Sequence, residues 1–201
     1  FAFQIYGDFS GYSDIAIGTS KLFGFNLKQN FATPYFSRDI AEFWRRWHIS
    51  LSTWFRDYLY IPLGGSRGSK FHQIRNVFII FIVSGFWHGA NWTFIIWGAL
   101  NAIYFLPLLL RNKNRVHTNV VAENSILPNI NELLQVLLTF GLTVLAWVFF
   151  RAENVSMALS YLSRIADLSL FTIPEIRPTD LVIFLLIFLA IEWAGRRNLY
   201  A

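Results

Sequence analysis

The longest apolar stretch of the chain runs from Val77 to Leu110, with no charged residue and one histidine, His88. A helix rises about 1.5 Å per residue, so this stretch would reach roughly 51 Å, well beyond the ~30 Å hydrocarbon core of a bilayer. Gly85, Gly89 and Gly98 offer places to break it. The pattern predicts two apolar arms, about 77–87 and 92–110, meeting near Trp87-His88-Gly89-Ala90-Asn91. Three more apolar runs flank this centre: 1–27, 133–150 and 181–195, the last containing Glu192 and followed by Arg196-Arg197. In the first, Gly7 and Gly11 form a GxxxG pair that lets helix backbones approach closely in lipid. Asp8 and Asp14 in the same run must face protein or water, which suits residues that cap or bridge neighbouring helices.

Two segments are amphipathic instead. Ser37 is placed to open a helix in which Ile40, Phe43, Trp47, Leu51, Trp54 and Tyr58 recur every three or four residues. Arg45, His48, Ser52 and Arg56 recur on another face, and Pro62 ends the helix. Such a helix lies at the membrane surface or dips into the protein. Val155, Ala158, Leu159, Leu162, Ile165 and Leu168 predict a second, shorter interfacial helix, with Pro174 and Pro178 breaking the chain after it.

Composition sharpens this. Only 14% of the residues are charged, against about 25% in soluble domains. The expected fold is an all-α membrane protein, a single polytopic domain over residues 1–201 with re-entrant and amphipathic interfacial helices beside its spans. The chain opens on Phe1 rather than Met and stops at Ala201 after an apolar run, so we expect an internal piece of a longer protein. With no cysteine, disulfides, a thiol nucleophile and any Cys-containing zinc site are excluded, and no metal is expected.

The net charge of +5 comes from basic residues set between hydrophobic runs with no groove-reading motif, which points to membrane lipid and not to nucleic acid. Lys28, Arg38, Arg45, Arg46, Arg56, Arg67, Lys70 and Arg75 mark 28–76 as cytoplasmic by the positive-inside rule. If 111–132 is cytoplasmic too, the central stretch enters and returns as a hairpin, 151–180 lies outside and Arg196-Arg197 inside.

An imidazole at a break inside the bilayer marks a candidate functional site. An interhelical hydrogen-bonding role is the plainer alternative. If the helix persists past His88, Asn91 and Trp92 fall at i+3 and i+4 on its face, bringing an amide and an indole N–H to the ring. From the residues alone, His48 beside Arg45 reads as a solvated or hydrogen-bonded histidine. The turn Leu63-Gly64-Gly65-Ser66-Arg67-Gly68-Ser69-Lys70 is basic and glycine-rich but lacks the order of a phosphate-binding loop.

Three runs, QIYGDFSGYSDIAIG (4–18), FWRRWHISLSTWFRDYLYIPLGG (43–65) and SGFWHGANWTFIIWG (84–98), closely resemble the membrane-bound O-acyltransferase family. Within it, the nearest resemblance is to the bacterial branch that acetylates alginate and peptidoglycan. The resemblance implies a multi-helix fold around a transmembrane tunnel, of which this chain is the C-terminal part. It implies that His88 is the catalytic histidine, and that His48 is the second, more cytoplasmic one. Acetyl-CoA would be the donor substrate, with no bound cofactor. The acetyl group would go toward an exported polysaccharide such as alginate or peptidoglycan, directly or through an exported partner protein. The setting would be the bacterial inner membrane, crossed several times.

Acetyl transfer from a thioester needs a base for the incoming hydroxyl and donors for the oxyanion. His88 suits the first role, with Asn91 or Trp92 as donors and Trp87 alongside; Arg45, His48, Arg56 and Asp57 would support the donor channel. A transporter would also carry intramembrane Asp and His, but no internal repeat is visible. D-alanyl transfer to teichoic acid is the nearer alternative. The topology has a direct check: cysteines introduced at positions 113 and 160 should label from opposite sides of the membrane, and labelling from one side would discard it.

Overall fold

The computed structural model describes residues 1–165, 167 and 179–197, and among these every regular element is helical. The elements are α1 (Ala2–Leu22), a 3₁₀ turn (Pro34–Phe36), α2 (Ile40–Arg46), α3 (Ile49–Phe55), a π-helical turn (Arg56–Tyr60), α4 (Lys70–His88), α5 (Trp92–Leu110), α6 (Ile130–Arg151), α7 (Val155–Ile165) and α8 (Thr179–Gly195). The helices α5 and α6 are long and apolar enough to cross a membrane. Leu168, Pro174 and Pro178, named above for the second interfacial helix and its end, lie outside the described residues.

The central stretch forms an antiparallel hairpin. Lys70 at the start of α4 reaches the carbonyl of Leu109 at the end of α5, at 3.1 Å. Of the three glycines expected to break the stretch, only Gly89 lies between the helices. Gly85 and Gly98 are instead where the two backbones meet. A Cβ on Gly98 would lie 2.2 Å from the carbonyl oxygen of Phe81, and one on Gly85 would lie 2.2 Å from that of Phe94. Such close approach is how apolar helices gain packing where no hydrophobic effect drives them together.

The predicted long amphipathic helix is broken in two. Asp39, not Ser37, caps α2 by accepting from the Glu42 N–H, and α2 ends at Arg46. His48 then adopts φ 46° and ψ 54° before α3 begins. Below α3, the Ile61 N–H bonds the carbonyl of Arg56 at 2.9 Å in an i to i−5 step, which inserts one residue before the glycine turn. Asn129 and Glu132 form a capping box that starts α6.

Charged groups lock α2 into the bundle. Glu42, 1% exposed, accepts from Arg38 at 3.1 Å and from Arg46 at 2.9 Å. Arg38 also meets Glu132 of α6 at 3.3 Å, and both arginines donate to the Asn119 carbonyl. Beyond α8, Arg196 donates to the carbonyls of Val121, Ala122, Ser125 and Ile126. Arg38, Arg46 and Lys70 of the segment 28–76, the loop 111–129 and Arg196-Arg197 therefore meet at one end of the bundle. At the other end, the Asn91 amide donates to the Glu153 carbonyl at 2.9 Å.

In α1, Tyr6 donates to the Glu192 carboxylate of α8 at 2.6 Å, which gives the acid of that apolar helix a partner. Asp8 and Asp14 are exposed, and a Cβ added at Gly7 or Gly11 would meet no atom within 4 Å, so neither pair bridges helices of this chain. The reason is geometric: α1 packs through its aromatic face, with Phe3, Tyr6 and Phe9 against Tyr35, Phe31 and His48.

Gly98→Ala should lower the detergent melting temperature by several degrees, whereas Gly141→Ala, with open space at its Cβ, should not. Glu42→Leu leaves the buried Arg46 guanidinium without a carboxylate and Arg38 with Glu132 alone, and should cost about 3–5 kcal/mol in denaturant unfolding.

Candidate active site

A cavity of about 300 Å³ lies against the α4–α5 hairpin and takes lining residues from both of its ends. His88, Ser84, Trp97 and Phe150 line it where α4 stops; Arg56, Tyr60, Ser66, Asn114 and Arg115 line it near where α4 starts and α5 ends. Val77, Ile80 and Phe81 occupy the stretch between. At 19 residues, α4 measures about 28 Å from end to end, close to the hydrocarbon thickness of a bilayer.

His88 is the last residue of α4 and sits in an aromatic box. Phe150 lies edge-on at 4.9 Å between ring centroids, Trp97 at 5.3 Å and Trp87 at 4.9 Å. Trp97 is stacked on Trp147 at 5.8 Å, so the far wall is braced by α6. These rings fix the imidazole by packing, and its nitrogens make no hydrogen bond among the described residues.

His48 lines the same cavity from the α2–α3 break. Its left-handed backbone is costly for a residue with a Cβ, by about 1–3 kcal/mol, and such strain clusters at functional sites. The position would normally cap α3, but the His48 side chain makes no capping bond. Asn30 does that work from outside: its carbonyl accepts from the Ile49 N–H at 3.0 Å and its side-chain oxygen from the Ser50 N–H at 3.1 Å. The imidazole is thereby released toward the cavity. Phe9 packs against it at 4.7 Å, and its Nδ1 is enclosed with no hydrogen-bond partner among the described residues. Burial, with His88 adding to it, pushes its pKa down to about 4, so the ring is neutral at pH 7 and able to accept a proton.

The other expected site residues are placed differently. Because α4 ends at His88 and Gly89 is extended, Asn91 and Trp92 do not continue its face. The Asn91 oxygen caps α5 through the Thr93 N–H, and its amide is taken by Glu153. Trp92 is 72% exposed and Trp87 58% exposed, so Trp87 covers His88 from outside. Neither Asn91 nor Trp92 lines the cavity. Arg45 and Arg56, one face of the expected single helix, are separated by the break. Arg56 reaches the cavity and chelates Asp57, with Nε at 2.7 Å from Oδ1. Arg45 turns to the loop instead and donates to the carbonyls of Asn114 at 2.9 Å and His117 at 2.7 Å.

Sequence reasoning passes over Ser84, Trp97, Phe150, Asn114 and Arg115. Only Trp97 gives a signal, as the aromatic one helical turn before the polar Asn101 in α5. In the glycine turn, Gly64 and Gly65 take φ 99° and 58°, and the buried Asn76 amide donates to the carbonyls of Leu63 and Gly65, each at 3.1 Å. The turn is thus built on backbone carbonyls and shapes the cavity wall at Tyr60 and Ser66.

Residues 1–149 match the family model of MBOAT, the membrane-bound O-acyltransferase family. Similar curated proteins include the probable alginate O-acetylase AlgI of Pseudomonas aeruginosa, 42% identical over 202 residues, covering 98% of this chain and 37% of the relative. The peptidoglycan O-acetyltransferase of Helicobacter pylori is 44% identical over 170 residues, covering 84% of this chain and 31% of that protein. The teichoic acid D-alanyltransferase of Streptococcus thermophilus is 40% identical over 110 residues, covering 51% of this chain and 26% of that protein. The chain therefore spans little more than a third of the length of the relatives it matches most fully.

Proposed function

We propose that this chain, which belongs to the membrane-bound O-acyltransferase family, forms the catalytic part of a multi-pass bacterial inner-membrane enzyme that acetylates an exported polysaccharide. The observation that carries the reading is a single cavity lined by two histidines and reaching the basic end of the helix hairpin. Acetyl-CoA enters from that basic, cytoplasmic end with its thioester toward His88. The acceptor hydroxyl, on the polysaccharide or on an exported partner protein, approaches from the opposite side.

His88 is the general base. It takes the acceptor proton as the oxygen attacks the thioester carbonyl. Collapse of the tetrahedral oxyanion breaks the C–S bond, and the leaving thiolate takes a proton back, so the imidazole ends as it began. Positioned base catalysis of this kind contributes typically 10²–10⁴-fold. The aromatic box keeps bulk water away from the thioester and so protects it from hydrolysis. His48, neutral and facing the same cavity, assists by hydrogen bonding the donor along the path. The cavity is the transmembrane passage through which the two substrates meet.

Acetyl transfer to alginate or peptidoglycan is preferred over D-alanyl transfer because the O-acetylating relatives match 98% and 84% of the chain, and the D-alanyltransferase only 51%.

In the full-length protein reconstituted into vesicles, labelled acetyl-CoA supplied on one side should yield label on an acceptor on the other. His88→Ala should reduce this by at least ~100-fold with membrane insertion intact, and His48→Ala should reduce it partially. Wild-type transfer by His88→Ala would refute the assignment.

A further inference from the structure

Two arginines, Arg56 and Arg115, line the basic end of the cavity, Arg45 grips the loop beside them, and the three differ in what they already hold. Arg56 is bidentate on Asp57, at 2.7 and 3.2 Å, so its charge is locally matched. Arg45 points both its terminal nitrogens at backbone carbonyls. Arg115 lines the cavity, is exposed, and among the described residues belongs to no ion pair. The carbonyls that Arg45 grips belong to Asn114, immediately before Arg115, and to His117, two residues after it. The Asp39 carboxylate lies nearby, 3.9 Å from the His117 Nε2. The backbone carrying Arg115 is therefore held on both sides by Arg45.

On the reading of the preceding subsection, we propose that Arg115 binds the anionic phosphate portion of the acyl donor at the cavity rim, and that Arg45 is the positioning residue that holds it there. A planar guanidinium recognises phosphate oxygens through paired N–H donors, and recognition of that geometry depends on where its backbone is held. Arg45 does not touch the donor: its hydrogen bonds face the loop. Its effect passes through the Asn114–His117 turn to Arg115. Of the two arginines that line the cavity, Arg56 is matched by Asp57, which leaves Arg115 as the lining guanidinium that answers a phosphate.

The test is steady-state acetyl transfer by the full-length enzyme in vesicles, with acetyl-CoA as the varied substrate. Arg115→Gln should raise the KM for acetyl-CoA about tenfold and leave kcat within about twofold, as loss of one charge-assisted contact to the donor predicts. Arg45→Ala should raise KM by a similar factor, and the double variant should show little further rise, because both changes remove the same contact. Arg45→Lys should recover part of the loss by reaching one carbonyl. Raising the salt concentration should increase KM in the wild type and much less in Arg115→Gln. Additive effects of the two substitutions, or a fall in kcat at unchanged KM, would overturn the proposal. If Arg45→Ala does not insert, Arg45→Lys and Arg115→Gln still decide it. Normal KM in Arg115→Gln alongside an inactive His88→Ala would sink this inference alone; full activity in His88→Ala would sink the catalytic reading beneath it.

Discussion

The bundle depends on a carboxylate that has almost no contact with solvent. Glu42 is 1% exposed and is held between the guanidiniums of Arg38 and Arg46, themselves 6% and 8% exposed. Removing such charges from water is expensive, and the loss is offset only where each finds partners in good geometry. Here the partners are also the connections of the fold. Arg38 reaches Glu132 at the start of α6, Arg46 reaches the carbonyl of Ala32, and both reach Asn119. The seven-residue α2 is therefore fixed against three separate segments, although so short a helix has little stability of its own.

That fixation explains the break that follows. Arg46 faces the Ala32 and Asn119 carbonyls, and Trp47 is buried among Phe31, Phe43, Tyr35 and Trp147. Once α2 is committed to those positions, the chain has to change direction to lay α3 along the cavity, and His48 adopts the left-handed conformation that does so. Asn30 supplies the first-turn acceptors α3 would otherwise lack, so the strain is compensated by a neighbour and the imidazole stays available. Packing, capping and site geometry are three aspects of one local arrangement.

The sequence makes the helices legible because their apolar residues recur with a helical period or run unbroken. It shows the hairpin turn, α5 and the apolar α6 within a few residues of their ends, and it draws attention to His88 because charge is absent around it. It misses the polar first two turns of α4, which starts at Lys70 and not at the apolar Val77. What it hides follows from the same rule. The apolar period of Ile40, Phe43, Trp47 and Leu51 continues through the break at His48, so periodicity cannot reveal a turn imposed by buried ion pairs. Arg45 and Arg56 share a face on an ideal helix and part company on the real one. Glycines signal flexibility and close approach with the same letter, and only the facing backbone distinguishes Gly89 from Gly85 and Gly98. Asn91 becomes a companion of His88 only on a helix that runs past the true end of α4.

The loop between α5 and α6 is gripped by five arginines from distant parts of the chain; the Asn119 side chain is an added acceptor for Arg38, and all five take hold of peptide oxygens. Every residue brings that oxygen, whatever its side chain. At the exposed positions of this loop, such as Arg115, the side chain can therefore change while the backbone keeps its supports, so the rim of the cavity can be altered without rebuilding what carries it.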